Sequence, residues 1–303
     1  MKHLIVGPEG HGVTAYALQL AAALGVGERD IIREEAFTHA PLADSPIHVT
    51  FTDHLFGAQP LAAVEALLSR LGGRPASVSF HDVPQPEEGR ERCARRAEAY
   101  QRLRDAAAVS VVNSHHEAQF FNQAPAVIRL PIPRVSSHFD PVPGTVGILG
   151  FLYPGKGHED LIAALEGTAY DLRFLGAVSQ GHEQWARDLS SHAARVEITG
   201  WLGADELASE MGRVAVPVCA HRHFSASGSL MTWLGAGRNV LASDSAYTRE
   251  IDRWLPGRIT LVRDGAWREA VEQFTPRVID PPSYGWGDVA AAWTRQWAAC
   301  GLT

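Results

Sequence analysis

The chain has 303 residues, a net charge of −7 with histidines neutral, and an apolar fraction of 46%. That length suffices for two domains with separate cores, and the apolar content excludes a disordered chain. An acidic balance without a basic stripe argues against a general nucleic-acid binder.

Short apolar runs alternate with amphipathic segments along the whole chain. The first half carries strand-like runs at 3–6, 47–51, 77–80, 109–112 and 127–130, with helical patterns at 14–24, 61–71, 90–107 and 114–121 between them. The opening run reads as a strand, not as the core of a signal peptide. Within 89–104 six arginines, Arg90, Arg92, Arg95, Arg96, Arg102 and Arg104, are interleaved with Glu91 and Glu98. Such mixing predicts a solvated helix face, with a dock for a phosphate-bearing or membrane-surface acceptor as the functional alternative. A proline-rich, aperiodic stretch at 131–144 then separates two similar sets of elements, so domains are expected at 1–140 and 141–283. The second half carries runs at 146–149, 172–175, 196–199, 215–219, 240–242 and 259–262, and a helical pattern at 284–300 follows Pro281-Pro282. This last segment, 284–303, is expected to pack back across both domains. Strand–helix alternation of this kind predicts an α/β fold of two Rossmann-like domains facing across a cleft.

Lys156 stands out, because the only other lysine is Lys2. It sits in a glycine- and proline-rich turn after the 145–149 run and before a helix with Glu159 and Asp160 in its first turn. That places an ammonium at the carboxyl end of a parallel strand, where open α/β sheets take anionic ligands. A surface lysine in an ordinary turn reads as well, until a second phosphate feature appears in the same half. Ser225, Ser227, Gly228 and Ser229 follow the 215–219 run and open the helix at 230–236. Small residues at a helix amino terminus leave N–H groups free for an anion, the alternative being a plain helix cap.

In the first half the turn with Gly10, His11 and Gly12 lacks the dinucleotide fingerprint, so a nicotinamide cofactor is not expected. Two strand ends carry polar residues, Thr52-Asp53-His54 and His81-Asp82, each pairing a histidine with a carboxylate able to hold its tautomer. Two such pairs at neighbouring strand ends favour a polar ligand pocket, which His221 and His223, flanking Arg222 ahead of the serines, are in a position to approach from the opposite domain. His115 and His116 are adjacent, and no His-Glu-x-x-His or Cys-x-x-Cys spacing occurs, so no metal site is expected. Cys93, Cys219 and Cys300 are odd in number and widely spaced, which fits a reducing compartment and no disulfide framework. With no apolar stretch long enough for a bilayer, a cytoplasmic protein is expected.

Together these landmarks resemble the retaining, nucleotide-sugar-dependent glycosyltransferases of family 4, which have the GT-B fold. The resemblance rests on the turn at Gly10 and Gly12, the strand ending in His81, Asn113-Ser114, the turn ending in Lys156-Gly157, the strand ending in Thr199-Gly200, and the stretch from Gly237 to Ser243 followed by Glu250. It implies that Lys156 binds a donor diphosphate, that His81 lies beside the donor sugar, and that Thr199, Gly200 and Trp201 border the base. Phe151 stands where the family usually has an arginine. Phe224 and Thr232 stand where it usually has two glutamates, the second of which grips the nucleotide ribose.

The expected function is transfer of a sugar from a nucleoside diphosphate sugar to a small-molecule, glycan or lipid-linked acceptor, with retention implied by the resemblance and without a cofactor. His81, Asp82, His54 and Lys156 are the expected catalytic residues. Gly10, His11, Gly12, Lys156, Thr199, Gly200, Trp201, Ser225, Ser227, Gly228, Ser229 and Thr232 are the expected donor contacts. Two alternatives remain, a silent interaction subunit that has lost the glutamates and the arginine, and a sugar-nucleotide epimerase.

Overall fold

The computed structural model describes residues 1–192 and 195–302; Thr303, the end of the expected terminal segment, lies outside them. The chain divides into two compact units, Met1–Pro131 with Tyr284–Thr303, and Ile132–Ser283.

Unit 1 is built from β1 (Lys2–Val6), α1 (Gly12–Ala23), β2 (Ile31–Glu34), β3 (Ile47–Phe51), α2 (Asp53–Phe56), α3 (Pro60–Leu71), β4 (Ala76–Phe80), α4 (Arg90–Ala106), β5 (Val109–Val112), α5 (His115–Ala118) and β6 (Ala126–Val127). Its strands form one parallel sheet in the order β2-β1-β3-β4-β5-β6. All residues of β3 and β4 are buried, as a parallel sheet covered on both faces requires. On one face Val64, Leu67, Tyr100 and Leu103 of α3 and α4 pack with Val49, Phe51, Val78 and Phe80. The helix α3 has Pro60 in its first turn and ends on Gly72 at φ +59°, the left-handed stop that glycine adopts without penalty.

Unit 2 repeats the plan with β7 (Val142–Leu149), α6 (His158–Leu165), β8 (Asp171–Leu175), α7 (Glu183–His192), β9 (Val196–Ile198), α8 (Ala204–Arg213), β10 (Val214–Cys219), α9 (Gly228–Gly235), β11 (Val240–Ser243), α10 (Ala246–Trp254), β12 (Ile259–Val262) and α11 (Trp267–Gln273). The sheet is again parallel, in the order β12-β11-β10-β7-β8-β9. Ile148, Phe174, Val216, Val218 and Leu241 are at the centre of its core.

The terminal helix α12 (Trp286–Ala299) belongs to unit 1, where Val289, Trp293 and Trp297 cluster with Tyr16, Leu20, Val109 and Ile128. Trp297 Nε1 donates to Ser77 Oγ at 2.7 Å, and His48 Nδ1 lies 3.0 Å from the same oxygen. A polar joint inside an apolar layer thus fixes the register of α12 on the sheet.

The structure differs from the sequence reading at the domain boundary and on α4. Residues 132–140 lie with unit 2, because Val135 N donates to Gly235 O, Asp140 N to Gly212 O and Ser137 Oγ to Ala208 O. A side chain at Gly235 would collide with Pro133 O, so glycine permits that close approach. Arg96, expected on a solvated face, is buried and bonds Asp53 through both carboxylate oxygens at 2.9 Å. Among the described residues no helix is long and apolar enough to cross a membrane. All three cysteines are free.

Candidate functional site

In a doubly wound sheet, strands that lie side by side while their connections leave in opposite directions open a crevice at their carboxyl ends. In unit 2 that point lies between β7 and β10. The turn carrying Lys156 leaves β7, and the serine cluster follows β10. Gly157, at φ +77°, lets the β7–α6 turn press on the exit of β10, where a side chain would strike Ala220 O.

The Lys156 side chain is only 6% exposed, and its Nζ donates to Leu149 O at 2.9 Å. Among the described residues it makes no ion pair. Burial pulls the ammonium down to about 8, with Cys219 opposing. Gly150, at φ +102°, makes the room: a Cβ there would lie 2.6 Å from Lys156 Nζ and 3.8 Å from Ser229 Cβ. The lysine and the start of α9 therefore border one spot. A buried cation without a counter-charge gains most from an anionic ligand.

Ser227 caps α9, its Oγ accepting from Leu230 N at 3.2 Å and lying 3.0 Å from Ser229 Oγ. The cap reading is thus correct for Ser227, whose own N–H donates to Tyr247 Oη. Gly228 has open space where a side chain would project. Ser225 Oγ lies 2.9 Å from His223 Nε2, and Thr232 Oγ1 donates back to Gly228 O at 2.8 Å. His221 lines a pocket of unit 2 with Cys219, Ser225, Ser227 and Tyr247. Burial and the nearby Lys156 hold its ring down to about 3. Arg222 is ion-paired with Asp160.

Sequence reasoning missed His158. It opens α6 two positions after Lys156, is fully buried with Phe174 in edge contact, and has no hydrogen-bond partner on either ring nitrogen among the described residues. Burial, then Lys156, hold it down to about 3, so this imidazole is neutral.

At the ends of β8 and β9, Thr199 Oγ1 accepts from Gly176 N at 3.1 Å and donates to Gly200 O at 3.0 Å. Trp201 follows at 71% exposure, with the Phe151 ring centroid 6.1 Å away. An aromatic pair thus stands on the Lys156 side of the sheet end, in sequence next to Gly150.

In unit 1 the corresponding switch lies between β1 and β3. The turns after those strands bring His11 Nε2 within 3.0 Å of His54 Nε2. His11 also caps α1, its Nδ1 accepting from Val13 N at 3.2 Å. Burial, then His54, lower its ring, with Asp82 opposing. Gly10 and Gly12 have open space where a side chain would project.

The expected pairing of His54 with Asp53 is not found. Arg96 takes both Asp53 oxygens, and His54 Nδ1 lies 3.2 Å from Thr52 Oγ1, which donates to Asp82 Oδ2 at 3.1 Å. Nor is His81 bonded to its neighbour Asp82: its Nε2 lies 3.2 Å from Ser79 Oγ, and its ring stands edge-on to Tyr16 at 4.6 Å. Burial holds His81 down to about 4, with Asp82 opposing. Asp82 is the one non-glycine residue among those described with positive φ, +50°, a conformation that concentrates at functional sites. No group of three His, Cys, Asp or Glu among the described residues is placed to hold a metal ion.

No protein-family model and no curated protein matches the sequence. Solved structures do match over almost the whole chain. AviGT4, a glycosyltransferase involved in avilamycin A biosynthesis, is 13% identical with a TM-score of 0.63, over 98% of this chain and 97% of its own. Anabaena HepE in complex with UDP-glucose is 16% identical with a TM-score of 0.65, over 98% and 95%. Staphylococcus aureus MnaA with UDP is 11% identical with a TM-score of 0.60, over 100% and 98%. At such identities the likeness is one of fold, the two-domain α/β fold of the GT-B glycosyltransferases.

Proposed function

We propose that the chain is a glycosyltransferase that moves a sugar from a nucleoside diphosphate sugar to a hydroxyl-bearing acceptor, with retention and without a metal. The observation that carries this reading is Lys156, a buried ammonium without a counter-ion, bordering the same spot as Ser229 at the start of α9. Leaving-group departure puts negative charge on the diphosphate. The lysine, the free N–H groups of Gly228 and Ser229 and the helix dipole would stabilise that charge where it develops, supplying electrostatically what a metal supplies elsewhere. Trp201 and Phe151 offer ring faces to a nucleobase, and Thr199 and Gly200 fix the backbone beneath them. In unit 1, His81 and Asp82 are the groups for sugar hydroxyls, with His54 behind Asp82 through Thr52, and the departing diphosphate takes the acceptor proton. A peripheral membrane contact and a cytoplasmic location belong to the same reading.

Incubation with UDP-, GDP-, ADP- and dTDP-sugars, following nucleoside diphosphate release, tests it. At least one donor should be turned over with the diphosphate as product. Epimerised donor without diphosphate release would replace the transferase by an epimerase, and no turnover of any donor would leave a silent subunit.

A further inference from the structure

The contacts around His11 and His54 permit one proton arrangement only. A backbone N–H is always a donor, so Val13 N–H fixes His11 Nδ1 as the acceptor and puts the His11 proton on Nε2. That proton points at His54 Nε2, 3.0 Å away, which must then be the bare nitrogen. His54 carries its proton on Nδ1 and gives it to Thr52 Oγ1. The Thr52 hydroxyl is left to donate to Asp82 Oδ2. Two fixed ends, an amide that only donates and a carboxylate that only accepts, thus polarise four side chains in one direction.

From this we infer that Thr52, a buried hydroxyl the proposed reaction does not otherwise use, is a positioning residue. With His54 and His11 behind it, it holds Asp82 so that the other carboxylate oxygen, Oδ1, accepts a hydroxyl of the sugar carried by the donor. Three observations bear on that role. Oδ1 has no hydrogen-bond partner among the described residues. Asp82 is held at a positive φ that no glycine relieves. His81, which precedes Asp82 in the chain, stands in an aromatic row with Tyr16 and Trp286, with centroids 4.6 Å and 5.3 Å apart, and aromatic rings are surfaces suited to a sugar. The role of Asp82 rests on the glycosyltransferase reading; the relay does not.

Two measurements on the full chain separate the two. Multiple-bond ¹H–¹⁵N correlation of ¹⁵N-histidine-labelled protein at pH 8 should show His11 protonated on Nε2 and His54 on Nδ1. His11→Ala and Thr52→Val singly should leave the His54 tautomer in place, since either end alone fixes it, and together should release it to the Nε2 form. His54 found on Nε2 in the wild type overturns the relay, whatever the activity. Slow hydrolysis of the nucleotide sugar selected by the donor screen, in water without acceptor, tests Asp82. Thr52→Val should lower kcat about ten- to a hundredfold with nucleotide Kd unchanged, and Thr52→Ser should restore it. Equal kcat in Thr52→Val and wild type overturns the positioning role, whereas a wild type that turns over no donor counts against the transferase reading and not against the relay.

Discussion

Lys156 is where single-residue chemistry and the proposed function meet. Its replacement by alanine should weaken nucleoside diphosphate binding by about 1.5–3 kcal/mol, the range of a charge-assisted contact, with little change in folding. Calorimetric titration reads this directly, and equal affinity in mutant and wild type would remove the lysine from the site. A pH test follows from the same burial. With the free ammonium titrating at about 8, diphosphate affinity should fall about tenfold per pH unit above that value, because the ligand selects the protonated form. A flat profile to pH 10 would contradict it. His81 is buried at the end of β4 in the other unit, so His81→Ala should lower turnover more than nucleotide affinity. Lost nucleotide binding with normal turnover at saturation would assign it to the nucleotide instead.

At the scale of elements, strands were legible where apolar runs were continuous. The run at 259–262 coincides with β12, and those at 172–175 and 215–219 fall one residue short of β8 and β10. β2 was not legible, because it is an edge strand of four residues, Ile-Ile-Arg-Glu, with no buried position to demand an apolar run. Lys156 could be picked out because lysine is scarce in this chain. The meeting of His11 with His54 could not: it depends on β1 and β3 being neighbours across 43 residues, which sheet order decides and local pattern does not encode. For α9 the test is bulk at its first residue. A Cβ at Gly228 has open space around it, so with Gly228→Val the fold should survive while diphosphate affinity drops, as seen by thermal melting and calorimetry together. Unchanged affinity would leave the serine cluster as a cap and nothing more.

On the scale of the whole chain, buried neutral histidines are spread through both units, and they set how stability responds to acid. Burial holds His3 and His81 down to about 4, His158 down to about 3, and His48 well below its ordinary value. Each is depressed in the folded state, so the unfolded chain binds more protons once the pH drops below about 6.5. Stability from these groups should be complete above that value and decline steadily toward pH 4, readable as a falling melting temperature. A melting temperature constant from pH 7 to 4 would mean that these rings are not buried neutral. Turnover is expected to survive exhaustive EDTA treatment, since Lys156 and the α9 amides are assigned the charge; loss of activity restored by manganese or magnesium would place a metal in the site. The central claim is that this chain grips a nucleoside diphosphate by its phosphates, and thermal-shift comparison of UDP, GDP, ADP and dTDP with their bare nucleosides tests it most directly. At least one diphosphate should raise the melting temperature while its nucleoside leaves it unchanged; no shift with any of the four, or an equal shift with the matching nucleoside, would contradict the account.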